Sequence, residues 1–160
     1  MTITAGERVP DVQVHIMTDE GPRLVRVLDV LGTGKAVLFA VPGAFTPTCT
    51  DYHLPGFIMR ADELHAKGVE TIACIAVNDA FVMSAWGAGC GVGDALVMLA
   101  DGNAEFTKAM GLELDGTSFG LGTRSQRYAA VIEDGIVTAL QVEEGPGVDR
   151  SSADAVLGLL

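Results

Sequence analysis

From Val41 to Thr50 the chain reads Val-Pro-Gly-Ala-Phe-Thr-Pro-Thr-Cys-Thr, which puts a thiol just past an apolar run and in the first turn of a predicted helix. Thr46 has an N-capping side chain and Pro47 suits the first helical position, so Cys49 falls at about the third. Amides without intrahelical partners and the positive end of the helix dipole favour a thiolate there over a thiol. A lone cysteine is more commonly buried and inert, but the cap, the proline and the preceding run together favour the nucleophile. Full ionisation raises the reactive population only about thirtyfold over an ordinary cysteine at neutral pH. A fast displacement therefore also needs donors aimed at the atom that takes up charge as the sulfur attacks. His53 lies four residues beyond Cys49 on the same helical face, where a base or metal ligand is conceivable and a structural hydrogen bond is the preferred role.

The elements that must position these residues follow from periodicity. Ala36 to Val41 is a continuous apolar run, as expected of a strand covered on both faces, and Thr71 to Val77 reads the same way. Between them a helical pattern runs from Pro47 to about Lys67, closed by Gly68, with a kink predicted at Pro55. Asn78 or Asp79 is placed to cap a short helix through Trp86, Leu96 to Ala100 is a further strand, and Asn103 is placed to cap a helix ending near Gly111. This alternation of strand and helix signals a parallel sheet. The last third differs: Tyr128 to Ile132 and Ile136 to Val142 flank Glu133-Asp134-Gly135 as a hairpin. Ser151 or Ser152 then opens a terminal helix with Ala155, Val156, Leu159 and Leu160 facing inward. No element is predicted before Ala36. The pattern is consistent with one α/β domain over residues 1–160, a central mixed sheet flanked by helices, and leaves the strand order open.

Composition narrows the function classes. With 160 residues, 49% of them hydrophobic, the chain can bury a full-sized core. Ten basic against 21 acidic residues give a net charge of −11, which repels nucleic acid and anionic membranes. The Ala36–Val41 run is too short to span a bilayer, and Met1 to Glu7 lacks a basic start and an apolar core, so a soluble, unexported, cytoplasmic protein is expected. Cys49, Cys74 and Cys90 are too few for a secreted disulfide framework and fit a reducing compartment. Gly32-Thr33-Gly34-Lys35-Ala36 misses a phosphate loop, with Asp29 at its first glycine position and Ala36 at its hydroxyl position. Gly87 to Gly93 misses the dinucleotide spacing. No cysteine or histidine pair has zinc-finger spacing, so neither metal nor organic cofactor is expected.

Several segments together resemble one family. Pro42 to Cys49, His53-Leu54-Pro55-Gly56-Phe57, Val77-Asn78-Asp79-Ala80-Phe81-Val82, Trp86, Leu99-Ala100-Asp101-Gly102 and Arg124-Ser125-Gln126-Arg127-Tyr128-Ala129 resemble type II, peroxiredoxin-five-like peroxiredoxins, in the order that family uses. The resemblance implies a thioredoxin-like fold and a thiol peroxidase that reduces hydrogen peroxide and alkyl hydroperoxides through a sulfenic acid on Cys49. It assigns the donors to Thr46, the Cys49 amide and Arg127, with Pro42 shielding the pocket and Arg124 as a neighbour. Where thioredoxins carry Cys-x-x-Cys, this chain has Thr46-Pro47-Thr48-Cys49, so dithiol chemistry at that place is closed. Animal members carry a resolving cysteine shortly before the terminal helix, whereas here Gly147 to Ser152 has none. Cys74 is expected to be buried and Cys90 to be mobile and exposed.

Recycling by glutaredoxin with glutathione, or by thioredoxin, is what the resemblance implies, as is a homodimer joined near the active-site loops and the turn carrying Trp86. Phe45 and Phe119 are candidates for an apolar wall favouring alkyl hydroperoxides, with core packing preferred for Phe45. Two other classes compete: a peroxide-sensing or partner-binding module, and a noncatalytic thioredoxin-fold protein. Pairing of Thr46 with Arg127 beside the sulfur weighs against both.

Overall fold

The computed structural model describes all 160 residues. Its centre is strand β3, Lys35–Ala40, which is buried from Ala36 onward. Side chains alternate across a strand, so Val37 and Phe39 enter one apolar layer while Ala36, Leu38 and Ala40 enter the other. The remaining strands are β1 (Gln13–Thr18), β2 (Gly21–Arg26), β4 (Val69–Ala76), β5 (Val97–Ala100), β6 (Glu113–Asp115), β7 (Thr123–Ser125), β8 (Tyr128–Glu133) and β9 (Ile136–Val142). Seven of them form one sheet in the order β2-β1-β5-β4-β3-β8-β9, and β6 pairs with β7 apart from it. β3 is parallel to β4 and antiparallel to β8, so the sheet is mixed, as expected.

Helices cover both faces. Helices α2 (Leu54–Ala66), α3 (Ala80–Cys90) and α5 (Ala153–Leu157) pack on the Phe39 side, and α1 (Val27–Leu31) and α4 (Glu105–Met110) on the Leu38 side. This is a thioredoxin-like α/β arrangement. The β8–β9 hairpin turns through Asp134 and Gly135 at φ of 50° and 82°, the two positive values that a two-residue turn matched to strand twist requires.

Local chemistry departs from expectation at several places. The β1–β2 hairpin and α1 have no counterpart in the sequence reading, because β1 has one buried residue, Val14, and β2 has none. Helix α3 does not stop at Trp86 but runs to Cys90, where Gly91 adopts a left-handed φ of 73° and ends it. Cys90 is therefore the last residue of a helix and half-buried, not part of an exposed glycine loop. Asp79, one of the two predicted caps, accepts from the Val82 amide at 2.8 Å. Asn103 does not cap α4; the Asp101 carboxylate accepts instead from the amides of Phe106 and Thr107 and from the Thr107 hydroxyl, at 3.1, 2.8 and 2.7 Å. Ser152 caps α5 through the Ala155 amide. Ala153 and Val156 are buried, Leu160 packs on the same layer, Ala155 is half-buried and Leu159 stays exposed.

Candidate active site

The loop after β3 carries the thiol to the start of a helix. Pro47 is the first helical residue, as expected, but the turn from Cys49 to His53 is wound as a π-helix before α2 begins. The Leu54 amide accordingly donates to the Cys49 carbonyl, five residues back. Pro55, predicted to kink the helix, stands at the second position of α2 directly behind the π-helical turn, so the break in regular α-helical bonding falls in the turn that its ring and missing N–H disrupt. Cys49 has no exposed surface. Its amide donates to no backbone carbonyl, so it remains available to an oxygen bound at the helix mouth.

Arg127 arrives from the other side of β3, one residue before β8, and is 8% exposed. Its Nη2 donates to Cys49 Sγ at 3.2 Å and its Nη1 to His53 Nδ1 at 2.9 Å. Thr46 does not cap the helix with its side chain. Its hydroxyl donates to the Gly43 carbonyl at 2.6 Å, because the tight loop turns that carbonyl back on it. The hydroxyl's one proton is thereby committed, which leaves Thr46 an acceptor rather than a donor toward anything bound beside it.

The loop itself is tied at two points. The Ala44 amide donates to Asn78 Oδ1 at 2.9 Å, and Arg124 Nη1 donates to the Pro42 carbonyl at 3.4 Å, with its Nε on the Leu121 carbonyl at 3.0 Å. Pro42 is half-buried. A Cβ at Gly43 would lie 2.8 Å from Arg124 Nη1, so a side chain there would push that guanidinium off its contact with the Pro42 carbonyl. Phe45 is not core: it is 60% exposed with a left-handed φ of 65°, and Phe119 is 84% exposed. Trp86 lies not in a turn but inside α3, 1% exposed, with its indole N–H donating to Thr50 Oγ1 at 3.0 Å.

His53 is buried at a tilt against the stacked rings of Phe39 and Phe57. Its Nε2 is 2.8 Å from the Ser151 carbonyl. Burial lowers its pKa to about 4, with the Arg127 charge acting in the same direction against the smaller raising effects of the Ser151 carbonyl and of Glu143. Burial also pushes the Cys74 thiol well above the usual range. No group of three or more His, Cys, Asp or Glu side chains is placed to hold a metal ion. Sequence reasoning missed the segment behind His53, where Glu143 accepts from the Ser151 amide and hydroxyl at 2.7 and 2.6 Å. No motif in the sequence marks that contact.

The family model of Redoxin matches residues 4–157. Peroxiredoxin-2E-2, chloroplastic, of Oryza sativa subsp. japonica is 51% identical over 164 residues, spanning 99% of this chain and 73% of its own. The crystal structure of reduced Prx3 in complex with H2O2 from Vibrio vulnificus is 49% identical with a TM-score of 0.94, over 99% of each chain. Peroxiredoxin 5 from Alvinella pompejana is 36% identical with a TM-score of 0.85, over 97% of this chain and 96% of its own. Likeness of this extent, running through the loop that carries the thiol, shows that the chain belongs to the Redoxin family, as a thiol peroxidase of the type II, peroxiredoxin-five-like group of peroxiredoxins.

Proposed function

We propose that Cys49 is the attacking thiol and that Arg127, the Cys49 amide and Thr46 hold the peroxide against it. The observation that carries this reading is the 3.2 Å contact from the buried Arg127 Nη2 to the buried Cys49 Sγ. The thiolate attacks the terminal oxygen of ROOH, forming an S–O bond as the O–O bond breaks. The departing oxygen keeps the bonding pair, takes a proton and leaves as water or an alcohol, and the sulfur is left as a sulfenic acid. Arg127 and the Cys49 amide donate toward the oxygens where charge builds, and Thr46 accepts the peroxide O–H, which orients the bond in line with the sulfur.

Glutathione then condenses with the sulfenic acid, releasing water and leaving a mixed disulfide that glutaredoxin reduces with a second glutathione. Placement of the other thiols supports this route over an internal bridge. Cys74 is enclosed within β4, Cys90 is half-buried as the last residue of α3, and all three cysteines are free thiols. A homodimer is proposed through the same end of the molecule, where α3 carries no charged residue over its 11 positions and Phe81 is 66% exposed. A reducing, cytoplasmic setting is proposed because the cycle consumes thiols.

Peroxide consumption with glutaredoxin and thioredoxin systems in parallel, using separate serine variants of the three cysteines, tests these points. Loss confined to Cys49→Ser, with turnover on glutaredoxin and glutathione, supports them. Full turnover on thioredoxin alone, with a Cys49–Cys90 bridge found by mass spectrometry, overturns the recycling route.

A further inference from the structure

Arg127 is the one charge inside the site, and none of the six ion pairs in the chain includes it. A buried guanidinium without a carboxylate partner is free to turn about its last torsion unless neutral acceptors fix its plane. One neutral acceptor is present. His53 Nδ1 lies 2.9 Å from Nη1, and Nη2 of the same guanidinium lies 3.2 Å from Cys49 Sγ.

The tautomer follows from the other ring nitrogen. Nε2 faces the Ser151 carbonyl, which only accepts, so the proton sits on Nε2 and Nδ1 offers its lone pair to the arginine. Ser151 is itself held by Glu143, and the Glu143 amide donates to the Arg127 carbonyl at 3.0 Å. Backbone and side chain of Arg127 are thus fixed by one closed chain of contacts.

We propose that His53 is a positioning residue for the peroxidase reaction, holding the Arg127 guanidinium in plane with the Cys49 sulfur through Nδ1 while leaving its charge undiminished. A carboxylate at this position would also orient the arginine, but it would add a negative charge beside the sulfur that must ionise. Burial keeps the ring uncharged at neutral pH, consistent with its pKa of about 4. The inference rests on the reading of Cys49 and Arg127 given above.

The test is the second-order rate of Cys49 oxidation by hydrogen peroxide, measured in single turnover for His53→Leu, Arg127→Met and the double variant. Thermal melting serves as the check on folding. His53→Leu should lose about tenfold or more, and should lose nothing further in the Arg127→Met background. An equal loss in both backgrounds, or a His53→Leu rate within about twofold of wild type, overturns the positioning role. If Arg127→Met itself oxidises at the wild-type rate, the reading of the site fails instead.

His53→Asn keeps an acceptor where Nδ1 lies, and His53→Gln keeps a donor where Nε2 lies. Positioning requires the Asn variant to be faster, and a tether to Ser151 alone requires the Gln variant to be. Nitrogen NMR of the wild-type protein needs no substitution: a proton on Nε2 is expected, and a proton on Nδ1 overturns the proposal.

Discussion

Cys49 and Cys74 share one apolar layer and neither exposes any surface, yet their surroundings prepare them for opposite fates. Cys74 sits inside β4, flanked in register by Phe39 of β3 and Met98 of β5. Burial there disfavours the charged sulfur, and Arg127 reaches it only as a weaker, more distant influence. Cys49 stands nine residues past Ala40, the end of β3, where the chain has left the ladder, its amide lacks a backbone acceptor and a guanidinium lies on its sulfur. Depth in the protein is therefore a poor guide to thiol chemistry. What separates the two is whether the backbone has spent its donors.

The largest effect expected from this contrast is in the cysteines themselves. Cys49→Ser should lower peroxide turnover by at least about 10³-fold with little change in melting temperature. Cys74→Ser should do the reverse, leaving turnover within about threefold while the buried hydroxyl costs about 1–3 kcal/mol in denaturant unfolding. If Cys74→Ser were as inactive as Cys49→Ser, the contrast would be void. Arg127→Met removes the feature that only one sulfur has, and should slow Cys49 oxidation about 10²- to 10³-fold in stopped-flow measurements. Thr46→Val should cost about tenfold to hundredfold in the same assay, with Thr46→Ser, which keeps the accepting oxygen, close to wild type. An inactive Thr46→Ser would point to the methyl group instead.

The last effect is on stability and its pH dependence. Folded His53 has a pKa of about 4, below the ordinary 6.5 of an unfolded histidine. The unfolded chain therefore binds the proton first as pH falls, and stability rises with pH across this window and is complete above it. Acidification from pH 6.5 to about 4 should remove about 3 kcal/mol through this group. Comparing wild type with His53→Gln by denaturant melts at several pH values isolates that share from the carboxylates, and parallel curves would refute it.

Much of this was legible in advance because the relevant signals are local. The buried runs of β3 and β4, the Pro47 helix start and the Asp134-Gly135 turn each follow from a few neighbouring residues. The β1–β2 hairpin was not legible, since half-exposed strands lack a strong pattern. The Asp101 cap was missed because the nearer Asn103 is equally able to cap, and only the left-handed turn at Ala104 decides between them. At the site, Cys49 and Thr46 lie three residues apart and can be read together. The path from Arg127 through His53 to Ser151 and Glu143 spans separations of 74 and 98 residues and exists only once the sheet has closed.

The bond from Trp86 to Thr50 gives the molecule an internal indicator. This is the chain's sole tryptophan, and it grips the residue immediately after the reactive sulfur. A sulfur without exposed surface can meet a thiol reductant only when the turn holding it loosens, and loosening that turn strips the indole of its partner and admits water. Emission from a single dry fluorophore should then shift to the red with each cycle, so the enzyme signals its own opening without an attached dye.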